Sequence, residues 1–498
     1  MERTESEARE EAVLSSRSIL LLFLFSLCLR LALLALTYPD NVGWYEDSFH
    51  HWQISYFTLH IGLPQGRLWD LGGMEYYWGI LPALFQSLLM WLFRTSSIVP
   101  IRIANSLFGS ASIVMIQRVT SRYFGSKIGY AAALLSAINP VLIVTDVSGM
   151  EEPLGILLLF LSLWFYDASP FKTGVFLALA SMCRAEYWFL SIGVFGTYLI
   201  FRKSGIAFLP SILSWALVMS PYLWHLQVQT GNMFYPIYWN VVGVEMGSWI
   251  GAFSVTSRVL LIKYAFAIAF LAVIAALAIL VRRKPRAYPV LAFFLGSSVI
   301  PFFSLGFGAY IAVAHNDRFL VDRLFALQYI FGAILVSYTA FSIQRIGFFR
   351  LGNAMFRKRR ATLVLGVSAI LILSLWSPVM YYHVKAGGGT SGYEDLANFV
   401  AANRQGGTVL VPGEKGGAVG LVYRIVQKGV PAEHLLSDKY HPETLGETLR
   451  WLQRHNVTLL IIRPSDEFYQ PLVKTYPSKF VLTLDVSSLQ VYGTNFLG

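Results

Sequence analysis

The sequence predicts a polytopic α-helical membrane protein of about 11 spans plus juxtamembrane helices, ending in a small C-terminal external α/β domain. Three observations predict it. Of the 498 residues 55% are hydrophobic and only 13% charged, where soluble domains carry about 25% charged residues. Long apolar runs recur, each near the ~20 residues that a helix needs to cross a bilayer. Strongly basic connections alternate with acidic ones between those runs. Arg282-Arg283-Lys284-Pro285-Arg286 and Arg357-Lys358-Arg359-Arg360 mark one side, and Glu46-Asp47, Glu151-Glu152 and Asp317 fall on the other.

Composition also excludes. The net charge of +11 sits largely in short loops beside spans, so it reads as topology and contact with lipid headgroups, not as a nucleic-acid footprint. Thirteen Trp and 26 Tyr suit interfacial belts. The two cysteines, Cys28 and Cys183, lie in apolar runs and argue against a disulfide framework. The first apolar run follows a mixed-charge segment and lacks a small-residue cleavage site, so no cleavable signal peptide is expected.

Taken in order, the expected spans are 18–37, 100–118, 128–145, 153–168, 171–183, 186–201, 207–223, 258–281, 288–308, 323–343 and 361–382. The further run 76–93 is expected to lie flat at the interface. If it crossed, the basic loop 118–127 would be external; lying flat, it leaves every later basic loop on one side, as the positive-inside rule favours. The N-terminus is then cytoplasmic and the C-terminus external. Residues 1–384 form the membrane domain, with a long first external loop over 38–100, and 385–498 the external domain. Gly387-Gly388-Gly389 reads as a linker. Thr408–Pro412, Thr458–Arg463 and Phe480–Leu484 read as strands, and Tyr393–Asn403 and Pro442–His455 as helices.

Ionisable groups at a membrane face are costly and usually functional. Asp40, Glu46 and Asp47 follow the first span, with His50 one helical turn beyond Glu46 and His51 next to it. A carboxylate there can act as a general base or hold a metal; the plain alternative is a solvated loop. Asp146-Val147-Ser148-Gly149-Met150-Glu151-Glu152-Pro153 joins two spans. Helix capping would explain one acid before the proline, and two suggest more. Arg184 and Glu186 interrupt an apolar stretch and must pair with each other or with partners in a site. His315, Asp317, Arg318, Asp322 and Arg323 precede a late span; an arginine here suits an anionic phosphate, or pairs locally. Arg30, inside the first span, is a paired or snorkelling residue.

Several of these segments, in this order, resemble the C-type membrane glycosyltransferases, in the branch of the protein O-mannosyltransferases and the lipid A aminoarabinose transferase. They are Glu46-Asp47, the flat helix, Arg102-Ile103-Ala104-Asn105-Ser106-Leu107 leading to Arg118–Phe124, Asn139-Pro140, Glu152-Pro153, Thr230-Gly231-Asn232, and the arginine-bearing loop before a late span. The resemblance covers most of the chain, and each element is short. It implies a GT-C-like fold, a polyprenyl-phosphate-linked sugar as donor, an acceptor on the external face that is a lipid, glycan or protein, and a first-loop acid as base. Here the pair runs Glu46 then Asp47, against the family's usual Asp then Glu, which leaves open which one is the base. No Trp-Trp-Asp-Tyr-Gly motif occurs, which argues against an oligosaccharyltransferase. The roles implied are Glu46, Asp47 and Glu152 for the chemistry, and Arg318, Arg323 and Arg184 for the donor phosphate. His50, His51, Glu151, Glu186, His315 and Asp317 are candidate contacts to substrate or to a divalent metal, although the branch mostly works without one. The competing class is a transporter or flippase of lipid-linked sugars, which should show two related halves; no internal repeat is visible.

Overall fold

The computed structural model describes residues 5–37, 46–201, 208–239, 323, 326–342, 354–387, 392–412, 419–439, 441–486 and 489–496. Contacts divide the chain into two compact units. One holds Met1–Tyr38, Tyr77–Leu81 and Arg102–Tyr382; the other holds Pro39–Tyr76, Pro82–Ile101 and His383–Gly498.

The first unit is helical. Its elements are α1 (Glu5–Leu36), most of α4 (Val99–Phe124), α5 (Ser126–Ala137), α6 (Pro140–Ser148), α7 (Glu152–Phe165), α8 (Pro170–Ser181), α9 (Glu186–Phe201), α10 (Phe208–Thr230), α11 (Ala326–Ser342), α12 (Ala354–Ser374) and most of α13 (Trp376–Gly387). Helices α2 (Glu46–Phe57) and α3 (Ile80–Phe93) belong mainly to the second unit. By length and composition three described helical stretches can cross a membrane: Ser16–Leu36, Val99–Phe124 and Thr362–Tyr381. Large apolar side chains stand exposed on them, among them Leu20, Leu21, Leu363 and Ile370, as lipid-facing surfaces require.

The segment expected to span over 128–145 is not straight. It is broken into α5 and α6, bent by 62°. Asn139 sits in extended backbone at the break and its Oδ1 accepts from the N–H groups of Val141 and Leu142. Pro140 has no N–H to continue the ladder from α5 and is preset for a first helical turn. Counting the bent pair as one crossing, the described residues offer four where the sequence predicts about 11. The runs 258–281 and 288–308 lie outside the described residues. The segment expected to lie flat forms α3 (Ile80–Phe93), whose 14 residues fall short of a crossing.

The core of this unit joins Ile113 and Ile116 of α4, Leu159 and Phe160 of α7, Leu177 of α8, Leu190 and Val194 of α9 and Ile330 and Phe331 of α11. Small residues bring backbones close. A Cβ on Gly174 of α8 would fall 2.0 Å from the Ser211 carbonyl oxygen of α10, the kind of contact that holds helices together where lipid removes the hydrophobic drive.

In the second unit α2 (Glu46–Phe57) runs into a π-helical turn, Thr58–Gly62. The C-terminal part contributes α14 (Tyr393–Asn403), β1 (Thr408–Val411), α15 (Val419–Gln427), β2 (Leu435–Ser437), α16 (Leu445–Arg454), β3 (Val457–Ile462), α17 (Tyr469–Thr475), β4 (Phe480–Val486) and β5 (Leu489–Thr494). The sheet order is β2-β1-β3-β5-β4. Strand β1 pairs in parallel with β2 and β3, and β5 pairs antiparallel with β3 and β4. Alternate residues face opposite sides. Val409, Val411, Leu459 and Ile461 cluster with α14 and α15, and with Phe49 and Trp52 of α2. Leu410, Leu460 and Ile462 cluster with Leu452 of α16 and Leu472 of α17. The α2 segment is thus built into the same core as the sheet: the Phe49 and Trp52 rings each lie 4.9 Å from that of Tyr423 on α15.

Candidate functional site

Five predicted site residues meet in the first unit. The connection between α6 and α7 supplies Glu151 and Glu152, the connection between α8 and α9 supplies Arg184 and Glu186, and Arg323 stands ahead of α11. All five are buried. Arg184 grips Glu186 with both sides of its fork, Nη2 to Oε1 at 2.7 Å and Nε to Oε2 at 3.1 Å. Its Nη1 donates to Glu151 at 2.8 Å and to Glu152. Arg323 Nη1 donates to Glu152 Oε1 at 2.7 Å and lies 3.5 Å from Glu151.

Sequence and local geometry explain why these groups converge. Gly149, at φ +98°, ends α6 in left-handed backbone that a glycine adopts freely. Arg102 Nε donates to the Ser148 carbonyl at 3.2 Å and Asn105 Nδ2 to the Met150 carbonyl at 2.5 Å, so α4 pins this connection. Both belong to the 102–107 motif. Capping does not account for Glu151, whose side chain makes no cap hydrogen bond to α7; its acids face guanidinium groups instead. Among the described residues three carboxylates meet two permanent cations here. Fully ionised, these five carry one surplus negative charge, which burial makes expensive unless a further donor or a proton answers it. Glu152 Oε2 is buried with no hydrogen-bond partner among the described residues.

A second buried pair braces the same unit. Arg30 of α1 holds Asp146 of α6, Nε to Oδ2 at 2.7 Å and Nη2 to Oδ2 at 2.6 Å, and also bonds Ser26. The expected pairing of Arg30 is therefore real, and Asp146 is structural.

In the second unit, Asp47, His50 and His51 ride on α2; Glu46 begins that helix. Asp47 and His50 are partly exposed and His51 buried. His50 Nε2 lies 3.0 Å from Asp70 Oδ2. Asp70 also accepts from Gln53 at 2.6 Å and from the N–H groups of Gly72 and Met74 at 3.0 and 3.1 Å. Burial alone would raise this carboxyl, but His50 and these donors hold it below the usual carboxylate range. Glu75, five residues on, goes the other way. Burial pushes it up to about 7, against its own N–H, with Asp70 adding to the rise and Arg67 and Lys439 opposing it. The sequence reading passed over both acids. An Asp two residues before Gly72-Gly73 is a turn signal that could have found Asp70; nothing local marks Glu75. His315, Asp317 and Arg318 lie outside the described residues. Among the described residues no three His, Cys, Asp or Glu side chains are grouped to hold a metal ion.

Comparisons with known proteins agree with this architecture. A family model described as dolichyl-phosphate-mannose-protein mannosyltransferase matches residues 79–230, which include Arg102, Asn105, Glu151, Glu152, Arg184 and Glu186. The oligosaccharyltransferase of Archaeoglobus fulgidus in its apo form aligns at TM-score 0.56 and 14% identity, over 89% of this chain and 69% of that one. ArnT from Cupriavidus metallidurans, bound to undecaprenyl phosphate, aligns at TM-score 0.57 and 12% identity, over 98% of this chain and 99% of that one; its apo state gives 0.55 and 12%, over 98% of each. No curated protein sequence matches. At such identities the likeness is one of fold. The chain shares the fold of these solved enzymes, and the family match over 79–230 agrees with the resemblance seen in the sequence.

Proposed function

We propose that the protein is a multi-pass glycosyltransferase of the cell membrane that moves a sugar from a polyprenyl-phosphate donor to an acceptor hydroxyl on the external face, with inversion. In this reading 1–384 is the membrane domain and 385–498 an external one; the N-terminus is cytoplasmic, and the acceptor is a lipid, glycan or protein. The observation that carries the reading is the buried cluster of Glu151, Glu152, Arg184, Glu186 and Arg323, set in this fold. Its unanswered Glu152 Oε2 is an acceptor suited to a sugar or acceptor hydroxyl, and its guanidinium groups suit a phosphate. ArnT of this fold binds undecaprenyl phosphate.

Chemistry assigns the parts. The bond from the anomeric carbon to the phosphate oxygen breaks, and its electron pair stays on the phosphate. Arg323, with Arg318, offsets that charge as it grows. Arg184, already held by three carboxylates, positions Glu151 and Glu152. The acceptor oxygen bonds to the anomeric carbon from the opposite face as a carboxylate takes its proton. Glu46 or Asp47 fills that role by the resemblance. The isoprenoid chain stays in lipid.

The test is turnover of a panel of polyprenyl-phosphate sugars by purified protein. We expect Arg323→Ala and Glu152→Gln each to lower turnover by about 10²-fold or more, the usual size of one lost electrostatic contact in a transition state. At least one of Glu46→Gln and Asp47→Asn should abolish it with folding retained. Full turnover in all four variants would remove this reading.

A further inference from the structure

A pocket of about 480 Å³ opens within the second unit, lined by residues between Pro412 and Tyr469. Its position follows from topology. Strand β1 leads through α15 to β2 on one side, whereas β3 leads through α17 toward β4 on the other. Helix α15 packs on one face of the sheet and α17 on the other. Ligands of open α/β sheets bind at such a switch point, outside the carboxyl ends of the strands. The pocket lies there: Pro412 follows β1, Asp438 and Lys439 follow β2, and Arg463 follows β3.

Its chemistry narrows the occupant. Among the described residues Asp438, Asp466 and Glu467 line it together with Lys439 and Arg463, so carboxylate acceptors and cationic donors share one lining. Donors and acceptors are interleaved, which suits hydroxyl groups that both give and accept hydrogen bonds. One wall is aromatic, with His441 stacked on Phe468 at 3.6 Å and 19°. Tyr469, 1% exposed, also lines the pocket, and its hydroxyl is buried with no hydrogen-bond partner among the described residues. Burial raises this phenol, and Asp438 and Asp466 raise it further, so it remains an O–H donor. Buried hydroxyls in native proteins are almost always answered.

We infer that this crevice is a binding site for a neutral sugar, with Tyr469 donating to one of its hydroxyls and Glu467 accepting from another. Its use in docking a glycan acceptor rests on the glycosyltransferase reading; the binding itself does not.

The experiment is saturation-transfer NMR on the full chain in lipid nanodiscs. The probes are methyl α-D-mannopyranoside, methyl β-D-glucopyranoside and methyl β-D-xylopyranoside, with ADP as the anionic comparison. At least one glycoside should bind in preference to ADP. Tyr469→Phe, and separately the exposed Glu467→Gln, should each weaken it roughly fivefold, the effect of one lost hydrogen bond, while Glu152→Gln should leave it unchanged. No glycoside binding, preference for ADP, unaltered binding in both pocket variants, or loss of binding in Glu152→Gln would each overturn the inference. Donor turnover assayed on the same samples separates the two readings: glycoside binding without any turnover would sink the transferase and leave the sugar site standing.

Discussion

Asp70 and Glu75 lie five residues apart in one loop, and their surroundings send their protons opposite ways. Asp70 is answered by His50, Gln53 and two backbone N–H groups; Glu75 Oε2 is buried without a hydrogen-bond partner among the described residues. The sign of the pH effect follows. A carboxyl raised from 4.5 to about 7 on folding contributes stability that is complete below about pH 4.5 and is lost as pH rises through about 7. We expect the thermal midpoint of the wild type to fall between pH 5 and pH 8, by an amount equivalent to roughly 2–3 kcal/mol, and Glu75→Gln to flatten that slope. An unchanged slope in the variant would mean that Glu75 ionises freely. Asp70 moves in the other direction: its contribution is present above its ordinary value near 3.8 and is lost only as pH falls through its lowered one.

Between elements, the pair of Arg30 and Asp146 ties α1 to α6. A Cβ on Gly109 of α4 would lie 2.2 Å from the Asp146 carboxylate, so three helices share this point. Removing one partner leaves a buried charge unanswered, so Arg30→Met or Asp146→Leu alone should cost about 3–5 kcal/mol. The double variant should recover most of that loss, because an apolar pair of similar bulk avoids the desolvation penalty. Detergent-unfolding midpoints of the four proteins form the cycle, and additive losses would show that the two side chains do not act on each other. Here the sequence was partly legible. Arg30 stood out as a charge in an apolar run, and Glu151, Glu152, Arg184 and Glu186 as charges at the ends of others. Their partners were not legible, since Arg30 and Asp146 are 116 residues apart. Arg323 is no more visible as a neighbour of Glu152, 171 residues away.

At the scale of the whole chain, the second unit gathers Pro39–Tyr76, Pro82–Ile101 and His383–Gly498. The Tyr423 ring against Phe49 and Trp52 is central to that assembly. Tyr423→Ala should cost about 3–5 kcal/mol, as large-to-small changes of buried aromatics do. Limited proteolysis should then open 46–76 together with 393–486. Cleavage confined to the C-terminal part would show that the two fold independently.

Composition, apolar run length and the alternation of basic and acidic connections were enough to read a helical membrane protein, because lipid constrains every residue of a span and so writes itself along the chain; the kind of fold came from the resemblance of short motifs. After residue 385, α14, α16, β1, β3 and β4 were legible from local periodicity, whereas the short α15, α17 and β2 and the last strand β5 were not. Only the tertiary structure decided which carboxylate meets which guanidinium and that the first loop shares a core with the sheet. These depend on contacts between residues tens to hundreds of positions apart, and the energy of such contacts leaves no periodic mark on the sequence.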